Sequence, residues 1–123
     1  MGSGGNGFSQ NEIYEYDPQN DSWQVAGTYP GEGTYDLASF CINNKIYTGL
    51  GQTTSSYACS DFWEFNPTDR SWKKLNSSPT TLTPAISNTI NNKGYVGYGW
   101  IGDYTYGTQP KGKMFLEFDP TKN

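Results

Sequence analysis

One phrase returns through this chain: EYDPQNDSW at residues 15–23, EFNPTDRSW at 64–72 and EFDPTKN at 117–123, where the sequence ends two positions before a third Trp would fall. Between copies the offset is 49 and then 53 residues, and a second phrase agrees independently, INNKIYTGLG (42–51) returning 48 residues later as INNKGYVGYG (90–99). A segment repeated at such a period folds as a unit that buries its faces against copies of itself, so the repeat constrains the fold more than any other feature.

Each unit holds four short extended stretches. In the central unit they are LASFCI (37–42), KIYTGLG (45–51), DFWEFN (61–66) and RSWKKL (70–75), rich in aromatic and apolar residues and separated by Gly, Pro and Asn. Asn43-Asn44 and Asn91-Asn92 stand between the first and second stretches, and Asn tolerates the left-handed backbone of a tight hairpin. Between the third and fourth stand Asp17-Pro18, Asn66-Pro67 or Asp119-Pro120, an Asx-Pro pair that favours a type I turn because proline fixes φ. The pattern predicts an all-β chain of four-stranded antiparallel meanders. Residues 8–27 supply strands three and four of one unit, 34–76 a complete unit, and 83–120 strands one to three of a further unit.

Composition agrees. Aromatic residues are 16% of the chain, led by ten Tyr, while Ala and Leu, which favour helices, are sparse. Charged residues are only 16% and the net charge is −4, which leaves out the basic footprint of a nucleic-acid binder. No apolar run approaches the roughly 20 residues of a membrane-spanning helix. The opening MGSGGNGFSQ has neither a cationic start nor an apolar core, so no signal peptide is expected in it. Cys41 and Cys59 are too few for a disulfide scaffold and lack the paired spacing of a zinc site. Cys41, mid-strand among apolar neighbours, is expected in the core, and Cys59, closing a loop, at the surface.

The repeat resembles the kelch family. The resemblance rests on a glycine closing strand two (Gly51, Gly99), an aromatic in strand three (Tyr16, Phe65, Phe118) and a Trp seven residues after it (Trp23, Trp72). The double glycine of that family is half kept, with Leu50 and Tyr98 in its first slot. The wording is similar to bacterial kelch proteins of the exported, surface-associated kind, which implies an extracellular or cell-surface location. The family implies a β-propeller in which each unit is one blade, so this chain, residues 1–123, holds about two to two and a half blades of a partial kelch propeller. Such a number of blades closes no ring. The partners expected on this ground are the remaining blades of a propeller or further copies of the chain, with a fragment favoured over a trimer. A three-chain ring would place strand 113–120 where residues 11–18 of the next copy must lie. In this reading Trp23 and Trp72 pack between blades, as do Phe40, Tyr47, Phe62, Trp63 and Tyr14.

A meander puts the one-to-two and three-to-four turns at one end of each blade and the two-to-three and four-to-one loops at the other. Only the second set is long or irregular: 28–36, 52–60, 76–84 and 100–112. Function on a rigid scaffold collects in such loops. Their aromatics, Tyr29, Tyr35, Tyr57, Trp100, Tyr104 and Tyr106, are the candidate binding residues, suited to a protein or glycan ligand because Tyr and Trp offer large contact area with a polar tip. There is no His anywhere in the chain, which removes the commonest general base and the His ligands of a galactose-oxidase type copper centre. No cofactor, metal site or catalytic residue is expected. The loop carboxylates Glu32, Asp36, Asp61 and Asp103 are expected to be solvated. The leading expectation is a non-catalytic binding and scaffold module. The alternative is part of a kelch-propeller enzyme acting on carbohydrate, a sugar epimerase or oxidase, with its catalytic groups outside this chain.

Overall fold

The computed structural model describes residues 11–32, 35–55, 57–84, 86–101 and 113–123. Its first sheet is a hairpin of β1 (Glu12–Asp17) and β2 (Ser22–Thr28), with an irregularity in register between Ile13 and Tyr14. The second is a meander of β3 (Ala38–Ile42), β4 (Lys45–Gly49), β5 (Phe62–Asn66) and β6 (Ser71–Lys74), paired in that order and antiparallel throughout. Two residues of β7 (Leu82–Thr83) precede the third sheet, which joins β8 (Ile86–Ile90), β9 (Lys93–Gly97) and β11 (Phe115–Phe118). Between the last two, β10 (Trp100–Ile101) pairs with β7. Strands follow one another up and down as the repeat predicts.

Turn chemistry explains the register. Asn43 and Asn44 take φ of 50° and 61°, Asn91 and Asn92 take 50° and 59°, the paired left-handed residues of a two-residue hairpin whose twist matches its strands. At the other turns the Asx side chain folds back on its own backbone. Asp17 Oδ1 accepts from Gln19 N at 2.8 Å, Asn66 Oδ1 from Thr68 N at 3.1 Å and Asp119 Oδ1 from Thr121 N at 3.0 Å.

Two apolar clusters join the three sheets. Ile13, Ala26 and Tyr29 of the first unit pack with Phe65, Ile46, Trp63 and Trp72 of the second. On its opposite face the second unit sets Ala38, Phe40, Ile42, Tyr47 and Phe62 against Leu82, Val96, Leu116 and Phe118 of the third. The rings of Phe40, Tyr47 and Phe62 lie 5.1–5.9 Å from that of Phe118, within the range of favourable aromatic pairs. Between the inner strands β3 and β8 the links are polar: Ser87 Oγ donates to Ser39 O at 2.9 Å and Thr89 Oγ1 to Cys41 O at 3.0 Å.

Expectations for four residues change. Trp72 packs between units, but Trp23 is 65% exposed and Tyr14 is also exposed, because among the described residues no unit lies against that side of the first hairpin. The cysteines exchange roles. In β3 the alternation sends Ala38, Phe40 and Ile42 into the core and turns Ser39 and Cys41 outward, so Cys41 is exposed. Cys59 is buried, its N–H bonded to Gly51 O at 2.8 Å and its carbonyl accepting from Leu82 N at 3.3 Å. Both thiols are free.

Candidate functional site

The irregular loops meet at one end of the blades and are tied together by their backbones. Tyr35 and Gln52 exchange both hydrogen bonds (3.2 and 3.0 Å), and Gln52 Nε2 donates to Asp36 Oδ2 at 3.0 Å. Gly51 N donates to Leu82 O at 2.9 Å and Ser78 N to Ser60 O at 2.8 Å, so that the loops 28–36, 52–60 and 76–84 form one connected platform. Within it Thr53 N donates to Tyr57 O at 2.9 Å, closing a short turn that carries Tyr57 outward.

The six candidate aromatics do not share one environment. Tyr57, 58% exposed, and Tyr35, 37% exposed, stand on the platform. Trp100 takes its place in β10, opposite Thr83 of β7. Tyr104 and Tyr106 lie outside the described residues, as does Asp103. Tyr29 turns inward. It is only 5% exposed and sets its ring edge-on to Trp72 at 5.5 Å, so it is a lid on the junction between the first two units.

Below the platform lies a carboxylate that the sequence reading placed in solvent. Asp61 is 7% exposed; its Oδ2 accepts from Trp63 Nε1 at 2.8 Å and from the backbone N–H of Glu32 at 3.1 Å, while its Oδ1 has no partner among the described residues. Burial, followed by the Asp61 charge, pushes the Tyr29 hydroxyl far above the ordinary tyrosine range, so it stays protonated. Asp61 was missed because loop acids are usually solvated. The repeat gave no signal for it: the matching positions in the other units are Glu12, an exposed acid, and Met114.

A repeated triad fastens strands two and three. Lys45 Nζ and Tyr47 OH both reach Glu64, the latter at 3.0 Å to Oε2. In the next unit Lys93 Nζ lies 2.6 Å from Glu117 Oε1 and Tyr95 OH 2.9 Å from Oε2. Burial acts to raise the Glu64 carboxyl, and the hydrogen bonds from Lys45 and Tyr47 outweigh it, leaving the group below the usual Glu range. Burial, then Glu64, pushes Tyr47 up to about 12. In the first unit Glu15 is bridged across the junction by Arg70 at 3.1 Å.

No protein-family model matches the chain. Over 90 residues it is 28% identical to an F-box/kelch-repeat protein of Arabidopsis thaliana, covering 72% of this chain and 25% of that protein. The solved structure of YjhT superposes with a TM-score of 0.64 at 24% identity, covering 75% of this chain and 29% of that one. Both likenesses support repeats of the kelch type. The chain therefore spans between a quarter and a third of the length of the proteins it matches.

The kelch glycine pair now has a physical account. Gly51 sits at φ 76°, where a Cβ would lie 2.4 Å from the carbonyl oxygen of Tyr35, and a Cβ on Gly99 would lie 1.8 Å from that of Thr83. The preceding slot is left-handed as well, Leu50 at φ 62° and Tyr98 at 52°, which is why kelch repeats favour glycine there. Leu50 holds the strained conformation with a fully buried side chain. Among the described residues no helix is long and apolar enough to cross a membrane.

Proposed function

We propose that this chain is a non-catalytic binding module whose protein partner docks on the loop platform. The observation that carries this is the mutual bonding of loops 28–36, 52–60 and 76–84, which holds Tyr35 and Tyr57 exposed on a preorganised surface. Aromatic residues with a polar tip, held rigid, give contact area at small entropic cost. The opposite end offers only tight turns of two to four residues. The test is site-specific photo-crosslinking in the full-length protein. A crosslinker replacing Tyr57 traps the partner, while one replacing Asn44 at the far end does not; adducts from Asn44 alone overturn the proposal.

The blades also take neighbours at both flanks. Phe65 is 3% exposed because the first unit covers it, whereas the equivalent Tyr16 and its neighbour Trp23 lie open. At the other flank Ile86, Ile90 and Phe115 are half exposed or more, although the matching Ala38, Ile42 and Phe62 are buried in the second unit. Further kelch blades are the partners whose shape these surfaces fit.

A further inference from the structure

We propose that the loop platform takes a cationic segment of its protein partner, a Lys or Arg side chain seated over exposed Glu32 and Asp36 with the buried Asp61 beneath. This rests on the platform being the docking face, and it names the chemistry that face selects.

Charge is shared unevenly between the two ends of the blades. Among the described residues the ion pairs are Lys45–Glu64, Arg70–Glu15, Lys93–Glu117, and Asp119 with Lys93 and Lys122. None of them involves Glu12, Glu32, Asp36 or Asp61, the acids at the platform end. The described cations at that end are Lys74, whose Nζ is held 5.5 Å from the centre of the Trp63 ring, and Lys113, which precedes β11 in the third unit.

A carboxylate is rarely buried without a charge partner. Asp61, 7% exposed, has two N–H donors on Oδ2 and none on Oδ1 among the described residues. The Tyr29 hydroxyl, on a side chain 5% exposed, also lacks a partner and faces the same place. A Cβ on Gly31 would lie 2.1 Å from Tyr29 OH and 2.6 Å from Asp61 Oδ2, so a bare glycine backbone lies against both. Glu32 follows, exposed, and its own N–H is one of the two donors to Asp61. Negative charge without a cation therefore runs from the interior to the surface within one residue of chain. In so poorly screened a setting it attracts a cation more strongly than solvated carboxylates do.

The neighbouring surface suits the rest of a basic side chain. Asp36 accepts from Gln52 Nε2 at 3.0 Å, and Gln52 is bridged to Tyr35 on one side and Ala58 on the other. Tyr35 precedes Asp36 and Tyr57 precedes Ala58, so two exposed Tyr share one small ladder with the acid. An aromatic face attracts a cation through its quadrupole, and it covers the apolar stem of Lys or Arg. An acidic segment would meet like charge here.

Amide variants test this, because Gln and Asn keep the acceptor oxygens while losing the charge. In the full-length protein Glu32→Gln with Asp36→Asn is compared with Asp21→Asn with Asp69→Asn, which removes as much charge at the far end. The probe is hexalysine, with hexaglutamate as its opposite, followed by isothermal titration calorimetry. At low salt the platform pair is expected to weaken hexalysine binding about fivefold, and the far-end pair by less than about twofold. Salt at about 1 M is expected to remove the difference. Asp61→Asn is expected to weaken hexalysine as well, and unchanged affinity in it overturns the part given to the buried charge. Equal weakening by the two pairs, or a preference for hexaglutamate, overturns the cationic seat. A photo-crosslinker replacing Tyr57 separates this from the reading beneath it, since the partner peptide trapped there is expected to be rich in Lys or Arg. A trapped peptide without basic residues overturns the cationic seat and leaves the docking face standing. No adduct at Tyr57 overturns both.

Discussion

Replacing Trp72 and Trp23 separately by Ala tests whether the repeated Trp stabilises through the junction between blades or within its own hairpin. Within their own strands the two are equivalent, each paired with the aromatic seven residues before it: Phe65 at 4.8 Å and 42°, Tyr16 at 5.0 Å and 43°. They differ in what lies outside. Trp72 also meets Tyr29 and belongs to the cluster with Ile13 and Ala26, whereas Trp23 is 65% exposed. A core Trp→Ala costs about 3–5 kcal/mol. Trp72 is only partly buried and its Nε1 has no hydrogen-bond partner among the described residues, so about 3 kcal/mol is expected. For Trp23 little beyond the single aromatic pair is at stake, about 1 kcal/mol. A difference of about 2 kcal/mol is roughly 30-fold in the folding equilibrium. At a urea dependence of about 1.5 kcal/mol per molar, Trp72→Ala moves the unfolding midpoint down by about 2 M and Trp23→Ala by less than 1 M. Trp72→Phe recovers most of the loss, since the missing Nε1 had no acceptor. Equilibrium urea unfolding followed by far-UV circular dichroism measures all three. Equal shifts for the two Ala variants would refute the assignment of Trp72 to the junction.

Two further outcomes are expected. Glu64 sits below its ordinary range in the folded chain, so its stabilising contribution is fully present above the unfolded Glu value of about 4.3 and is lost as pH falls through the folded value; Glu64→Gln makes the acid limb of the stability profile shallower, and an unchanged slope in urea titrations across pH 5 to 3 counts against the triad. Burial, then the Asp61 and Glu32 charges, pushes the Cys59 thiol up to about 11, so iodoacetamide at pH 8 modifies exposed Cys41 and spares Cys59; mass spectrometry finding Cys59 alkylated first reverses this.

The strands, their order and their hairpin turns were legible because each is written more than once. Asn-Asn and Asx-Pro recur at matching places, and a position that repeats has one structural meaning. Legibility failed where a residue's fate depends on something that does not repeat. Trp23 and Trp72 share a motif yet differ in exposure, because only one has a blade against it. Tyr29 looks like a loop aromatic in sequence and is drawn inward by the junction it covers. Asp61 has no acidic counterpart one unit later and is held under the platform by Trp63 and Glu32. The cysteines are a different case: the two-residue alternation of β3 already assigns Cys41 to the side opposite Phe40, and its apolar neighbours hid that phase.

The two flanks of the chain are unlike, and this limits how copies can meet. A two-fold axis would set Trp23 against Trp23, or Phe115 against Phe115, a juxtaposition found at neither internal junction. Only head-to-tail succession repeats the contacts that join the three units here, and such a series has polarity: it closes as a ring when the rotation per step divides a full circle and otherwise grows as a fibre. The angle between successive sheets, rather than the strength of their contacts, selects between those two ends.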